Sequence, residues 1–221
     1  YSDDAGDVTV MKYAGTNTSV AAADIVPRAD LSGNNITIAA ASLTLSLAGT
    51  PASQTKVKGT NNVDVVGITF AAAQASALTV TQVVLTGVAA DKSTDTYDEG
   101  TPDADNDSGI SVANAMSSVQ LYEAGTNELV GPSSKVSSNQ LSAGGTGTIT
   151  FSSLNWSIPA GTSKTLLVRA NLSSNAVSGT SDLYAFDIAA TGNVTALDND
   201  SNTINAGNSA INGGLTPTRV L

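Results

Sequence analysis

Apolar residues in this chain recur at every second position, in short runs cut by Gly, Asn, Ser and Pro, and almost nowhere at the three-and-four spacing of a helix. That pattern restricts the chain to many short strands, each offering one face to a core and one to water. Residues 42–48 place Leu43, Leu45 and Leu47 on one face, with Thr44 and Ser46 on the other. Residues 63–70 change phase, from Val63 and Val65 to Val66, Ile68 and Phe70, which predicts a bulge or bend near Val65. Residues 78–85, with Val80, Val83, Val84 and Leu85, are apolar in both phases and read as a strand covered on both sides.

The pattern continues through the second half. Residues 119–122 and 128–130 form a hairpin across Ala124-Gly125-Thr126-Asn127, a link able to reach positive φ. Ile149 alternates with Phe151, and Leu154, Trp156 and Ile158 share a face. Pro159-Ala160-Gly161 then makes a turn before residues 165–170 resume with Leu166 and Val168 inward. Tyr184, Phe186 and Ile188 supply another inward face. Weaker strands fall at 8–11, 36–39, 194–197 and 215–221. The Ala-rich stretch 71–77 is too short between two strands to be more than a loop or a single turn. About ten strands without alternating helices predict an all-β fold, an antiparallel β-sandwich of Ig-like type with strand-forming terminal extensions. Residues 1–40 are the N-terminal extension, 41–197 the sandwich with an acidic insert at 88–112, and 198–221 a C-terminal segment. Trp156 belongs to the core, since it shares its face with Leu154 and Ile158.

Chemistry is limited by what is missing. With no His and no Cys, the chain cannot build a Ser-His-Asp or Cys-His triad, a His- or Cys-ligated zinc site, an iron–sulfur cluster or a disulfide. The carboxylate pair, Ser-Lys dyad or magnesium site that would remain has no local signature here, and the reading is of a protein that is not an enzyme and requires no cofactor. A formal net charge of -10, from 9 basic and 19 acidic residues, repels phosphate and argues against nucleic acid as a partner. No run approaches the ~20 apolar residues of a membrane span.

The stretch FSSLNWSIPAGTSKTLLVRA, residues 151–170, puts a Trp strand, an Ile-Pro-Ala-Gly turn and a Lys-Thr-Leu-Leu-Val strand in one order. With the runs that precede it, this region resembles the β-sandwich repeats of exported surface and filament-forming proteins of bacteria, notably those of candidate phyla. The resemblance spans residues 42–197. It implies a structural or adhesive module at the cell surface or outside the cell, with no catalytic residues to carry over. The Trp and Ile-Pro-Ala-Gly signature occurs once, so a large structure requires self-assembly of many copies into a homo-polymer.

Two segments stand out as functional candidates. The insert gathers Asp91, Asp95, Asp98, Glu99, Asp103, Asp105 and Asp107. Asp103, Asp105 and Asp107 alternate as in the first half of a calcium loop, although Ser108 intervenes before Gly109 and Asn114 stands where a bidentate Glu would close the site. Calcium and a solvated acidic loop are both consistent with that spacing, and Asp198 and Asp200 form a weaker version of it. The N-terminal run with Val8, Val10 and Met11 is strand-like and precedes the sandwich. It is either an ordinary edge strand or a donor that enters a neighbour's sheet edge, and the second option builds a filament. The runner-up donor is 215–221, where Pro217 removes a ladder hydrogen bond. Asn-x-Ser/Thr triplets begin at Asn17, Asn35, Asn106, Asn155, Asn171, Asn193 and Asn199, sites for glycans or a by-product of composition. A filament or surface-array subunit assembling by β-strand addition is the first functional reading, and an adhesin or carbohydrate-binding module the alternative.

Overall fold

The structure is a computed structural model, and it describes residues 34, 36–91, 112–131, 147–176, 182–207 and 218–220. The chain divides into two units, Tyr1–Ile38 and Ala39–Leu221. Of the first unit, Asn34, Ile36, Thr37 and Ile38 are described, and all four are exposed.

The second unit is a sandwich of two sheets. The smaller holds β1 (Leu43–Leu47), β3 (Val63–Ala72), β8 (Ser163–Leu172) and β5 (Met116–Glu123), antiparallel throughout in the order β1-β3-β8-β5. The larger runs β11 (Thr203–Asn205), β10 (Val194–Leu197), β4 (Leu78–Asp91), β9 (Asp182–Asp187), β12 (Thr218–Val220) and β2 (Gln54–Lys56). Two further strands, β6 (Gly147–Phe151) and β7 (Trp156–Ile158), also pair with β4. β4 organises this sheet: Leu78, Thr79 and Val80 lie against β7 and residues 83–87 against β6, while β10 and then β9 line its other side. The parallel pair β2–β12 is the exception to an otherwise antiparallel sheet.

Alternation explains most of the burial. Leu43 and Leu45 are buried with Thr44 and Ser46 exposed between and beyond them, and Leu154, Trp156 and Ile158 are buried with Asn155 and Ser157 exposed. The expected phase change in β3 is a bulge, where the register to β8 shifts between Asp64 and Val66. In β4 the expectation of two covered faces is corrected. Leu78, Val80, Val83 and Leu85 are buried, but Val84 is half-buried, and the alternation slips by one residue at Thr81 and Gln82. One face therefore meets the core and the other is only partly shielded. The hairpin is closed by Glu123 N–H to Glu128 O at 2.9 Å and Asn127 N–H to Glu123 O at 2.9 Å, with Asn127 at φ 57° and Gly125 at φ 92°.

Three other segments differ from the sequence reading. Residues 36–39 carry no strand. The Ala-rich stretch is the end of β3 and a turn, while Val112–Ala115 makes a helical turn that no periodicity announces in four residues. The weak strand expected at 215–221 is present as β12, which lies between β9 and β2 in the larger sheet, and β11 joins the same sheet. Val8, Val10 and Met11, and Asp103, Asp105 and Asp107, lie outside the described residues.

The sheets are joined by a crossing over β3. After β1, Ala48 N–H donates to Gly67 O at 2.8 Å and the chain lies across the strand before Gln54 Nε2 donates to Asp64 O and β2 begins in the other sheet. A Cβ on Gly67 would stand 2.2 Å from Thr50 O and 2.9 Å from Ala48 Cβ. Glycine at 67 is what allows the two backbones to approach.

Candidate functional site

Trp156 sits where the hairpin after β5 meets the start of β7. Its ring is 5% exposed and packs edge-on against Phe70, with centroids 5.1 Å apart and planes at 86°. The indole N–H finds its partner in Glu123 Oε2, to which it donates at 2.6 Å. The same oxygen accepts from Lys164 Nζ at 3.0 Å, and that ammonium lies 5.9 Å from the indole centroid. Burial works to raise the Glu123 carboxyl, but the Trp156 N–H and the Lys164 ammonium outweigh it and hold it below its ordinary value of 4.5. The group therefore stabilises the fold above that value, and the contribution is lost as pH falls through the folded pKa. Melting of Glu123→Gln beside the native chain is expected to show the variant less stable near neutrality, the gap closing as the pH drops below 4.5. A gap independent of pH would contradict this.

Beside the indole lies a cleft of about 300 Å³, walled by Glu123, Glu128, Leu129 and Val130 from the hairpin and by Ser153 and Asn155 from the β6–β7 link. Its two loops need unusual backbone. Gly131 has φ 79° with Leu154 Cδ2 2.2 Å from where a Cβ would stand, and Ser153 has φ 56°. Glu123 and Glu128 face one another across the hairpin, and Lys164 balances the first of them. The arrangement offers carboxylate, hydroxyl and carboxamide groups to a small polar ligand.

A second polar cluster lies on the outer face of the smaller sheet. Arg169 donates from Nε to Asp64 Oδ1 at 2.6 Å and from Nη2 to Oδ2 at 3.3 Å, while Nη1 donates to Asn127 Oδ1 at 2.8 Å. The guanidinium lies 4.3 Å from the Tyr122 ring centroid. Hydrogen bonding to Asp64 raises the Arg169 pKa further, so the group stays charged, tying β3 and β8 to the hairpin turn.

Asp198 and Asp200 form a turn between β10 and β11. Asp198 Oδ1 accepts from the N–H of Asp200 at 2.9 Å and of Asn202 at 2.8 Å, and Oδ2 accepts from Asn202 Nδ2 at 3.0 Å. The Asn202 side chain and then its backbone N–H lower the Asp198 pKa. The carboxylate thus serves its own loop as an Asx turn. Among the described residues no group of three or more acidic side chains gathers as a metal site. The Asn triplets also separate: Asn155 and Asn199 are exposed, whereas Asn171 is half-buried, accepting from Asn62 N–H at 2.8 Å and donating to Ser118 Oγ at 2.9 Å.

Among the described residues, Ile36 at 90%, Ile38 at 95%, Val57 at 64% and Leu129 at 46% are the large apolar side chains most exposed to solvent. For Ile36 and Ile38 the sequence signal was the alternation at 36–39. Glu123 carried none, because its partners Trp156 and Lys164 lie 33 and 41 residues further along the chain.

These features define the chain as an all-β protein, a two-sheet antiparallel sandwich. No family model matches it, and no curated protein matches it. Solved structures of some likeness include that of the sixth cohesin from the scaffoldin B of Acetivibrio cellulolyticus in complex with a Cel5 dockerin, at 12% identity, 81% of this chain, 99% of that chain and a TM-score of 0.32. Another is a complex of CaDoc0917 with CaCohA2, at 16% identity, 77% of this chain, 99% of that chain and a TM-score of 0.28. At such scores the likeness does not extend to what those proteins bind. Among the described residues no helix is long and apolar enough to cross a membrane.

Proposed function

We propose that this protein is a non-enzymatic structural subunit that works outside the cell and assembles with copies of itself by β-strand addition. The observation that carries the reading is the pair Ile36 and Ile38, at alternate positions ahead of the sandwich with nearly all of their surface in solvent. Two β-branched apolar side chains held in water are a cost to a free subunit, and a sheet edge on another molecule removes it while supplying main-chain hydrogen bonds. A head-to-tail contact of this kind does not close, so it propagates into a fibre or array. The chain lacks cysteine, and the cooperative breaking of many main-chain hydrogen bonds gives such an assembly persistence without disulfides. Calcium at Asp103, Asp105 and Asp107 is part of this reading only as a stabiliser of the acidic insert.

The cleft beside Trp156 favours a second reading, an adhesin or carbohydrate-binding module. It is the weaker one, because the indole is buried by Phe70 and presents no stacking face. Negative-stain microscopy of the purified full chain separates the two. Fibres or ordered arrays are expected, whereas a dispersed monomer that binds a glycan would replace the first reading with the second.

A further inference from the structure

Resting on that reading, we infer that the strand donated between copies is residues 34–40 and that it adds to the free edge of β6 in the next copy. The acceptor follows from comparing the edges the fold leaves open. The outer side of β1 is covered at its start, where Leu43 bridges Ala206 and Gly207 N–H donates to Leu43 O, and the outer side of β5 at its end, where Leu129 bridges Tyr122 and Val130 N–H donates to Leu121 O, so each is partly closed. β2 and β11 are three residues each, the first ending in Lys56 and the second following Asp198 and Asp200. β7 is equally short and is stopped by Pro159. Short length, charge and proline are the ordinary protections of an edge strand.

β6 has none of the three. It is five residues, Gly-Thr-Ile-Thr-Phe, without charge or proline. Among the described residues it is paired along one side only, to β4. Ile149 and Phe151 point into the core while Thr148 and Thr150 are exposed, so one more strand would continue an apolar face already present. Ile36 and Ile38, at the same two-residue period, match that face, with Thr37 falling on the wet side.

Charge selects a second copy as the source of the strand. At a net charge of -10, two copies repel wherever their carboxylates approach. The three longest runs free of Asp, Glu, Lys and Arg are residues 31–55, 65–90 and 136–163. The middle run is mostly β3 and β4, which are paired on both sides. The other two contain the exposed isoleucines and β6. Donor and acceptor therefore both lie in uncharged stretches, through which like-charged subunits can meet.

The absence of native cysteine makes the contact directly testable in the full chain. Thr37→Cys and Thr150→Cys, which the pairing puts on the same wet face, are expected when mixed and mildly oxidised to give a disulfide heterodimer in excess over either homodimer, and the double variant a ladder of higher species. The paired change Ile36→Asp with Ile38→Asp is expected to abolish fibres without altering circular dichroism or melting, whereas Val57→Asp, at another exposed apolar position, leaves fibres intact. Fibres that survive the aspartate pair and yield no heterodimer excess would overturn this assignment while leaving strand-addition assembly in place. A chain that neither polymerises nor cross-links would overturn both.

Discussion

Trp156→Ala is expected to destabilise the sandwich by about 3–5 kcal/mol, the range for truncating a large buried aromatic. The loss has two parts. Removing the indole leaves a void against Phe70, which loses its edge-on partner at 5.1 Å. It also removes the N–H that Glu123 Oε2 accepts at 2.6 Å, leaving that half-buried carboxylate with Lys164 alone. Trp156→Phe should recover most of the first part and none of the second, so its cost falls between the native chain and the alanine variant. Urea unfolding followed by circular dichroism measures both. A near-neutral alanine variant would place the ring outside the core and return it to the binding-site reading.

Gly67→Ala is the second large effect, and it is expected to cost as much as or more than the ~1–3 kcal/mol typical of overpacking. The added methyl would stand 2.2 Å from Thr50 O and 2.9 Å from Ala48 Cβ, and the first of these is backbone, which no rotamer change can move aside. Either β3 shifts in its sheet or the crossing segment lifts, breaking the 2.8 Å bond from Ala48 N–H to Gly67 O. Lifting would also loosen Gln54 from Asp64 O, at the start of β2. Limited proteolysis should then cut between Ala48 and Gln54 faster than in the native chain, alongside a lowered urea midpoint. An unchanged midpoint and unchanged cleavage would show that the crossing is held elsewhere.

Much of the fold could be read before any coordinates. The bulge near Val65, the hairpin at 124–127 and the common face of Leu154, Trp156 and Ile158 are local consequences of period-two alternation and of Gly and Asn at turns. The slip in β4 at Thr81 and Gln82 was hidden, because a run that is apolar in both phases reads the same with or without a phase change. The short helix at Val112–Ala115 is below the length at which periodicity can be measured. The segment 36–39 shows the limit from the other side: its alternation is real, but the described residues give it no pairing partner.

The candidate site was far less legible. Trp156 was placed correctly in the core, yet the cleft beside it depends on Glu123, Glu128, Ser153 and Asn155, which no local pattern connects. The Arg169 cluster likewise joins Asp64, Tyr122 and Asn127 from three separate stretches.

By itself the sequence determines that this chain is built of strands, which face of most of them is buried, and that chemistry needing histidine or cysteine is closed to it. Those properties follow from side-chain direction alternating along a strand and from the inventory of side chains, and both are local. Tertiary structure alone decides which strands pair: that β4 holds β7 and then β6 along one side and β10 and then β9 along the other, and that Trp156 finds its acceptor 33 residues away. It also decides that, among the described residues, β6 is paired along one side only. A strand's own residues carry no address for a neighbour, because main-chain hydrogen bonding is the same for every residue except proline. Pairing is settled by the collective fit of two buried faces, a property of the whole sandwich.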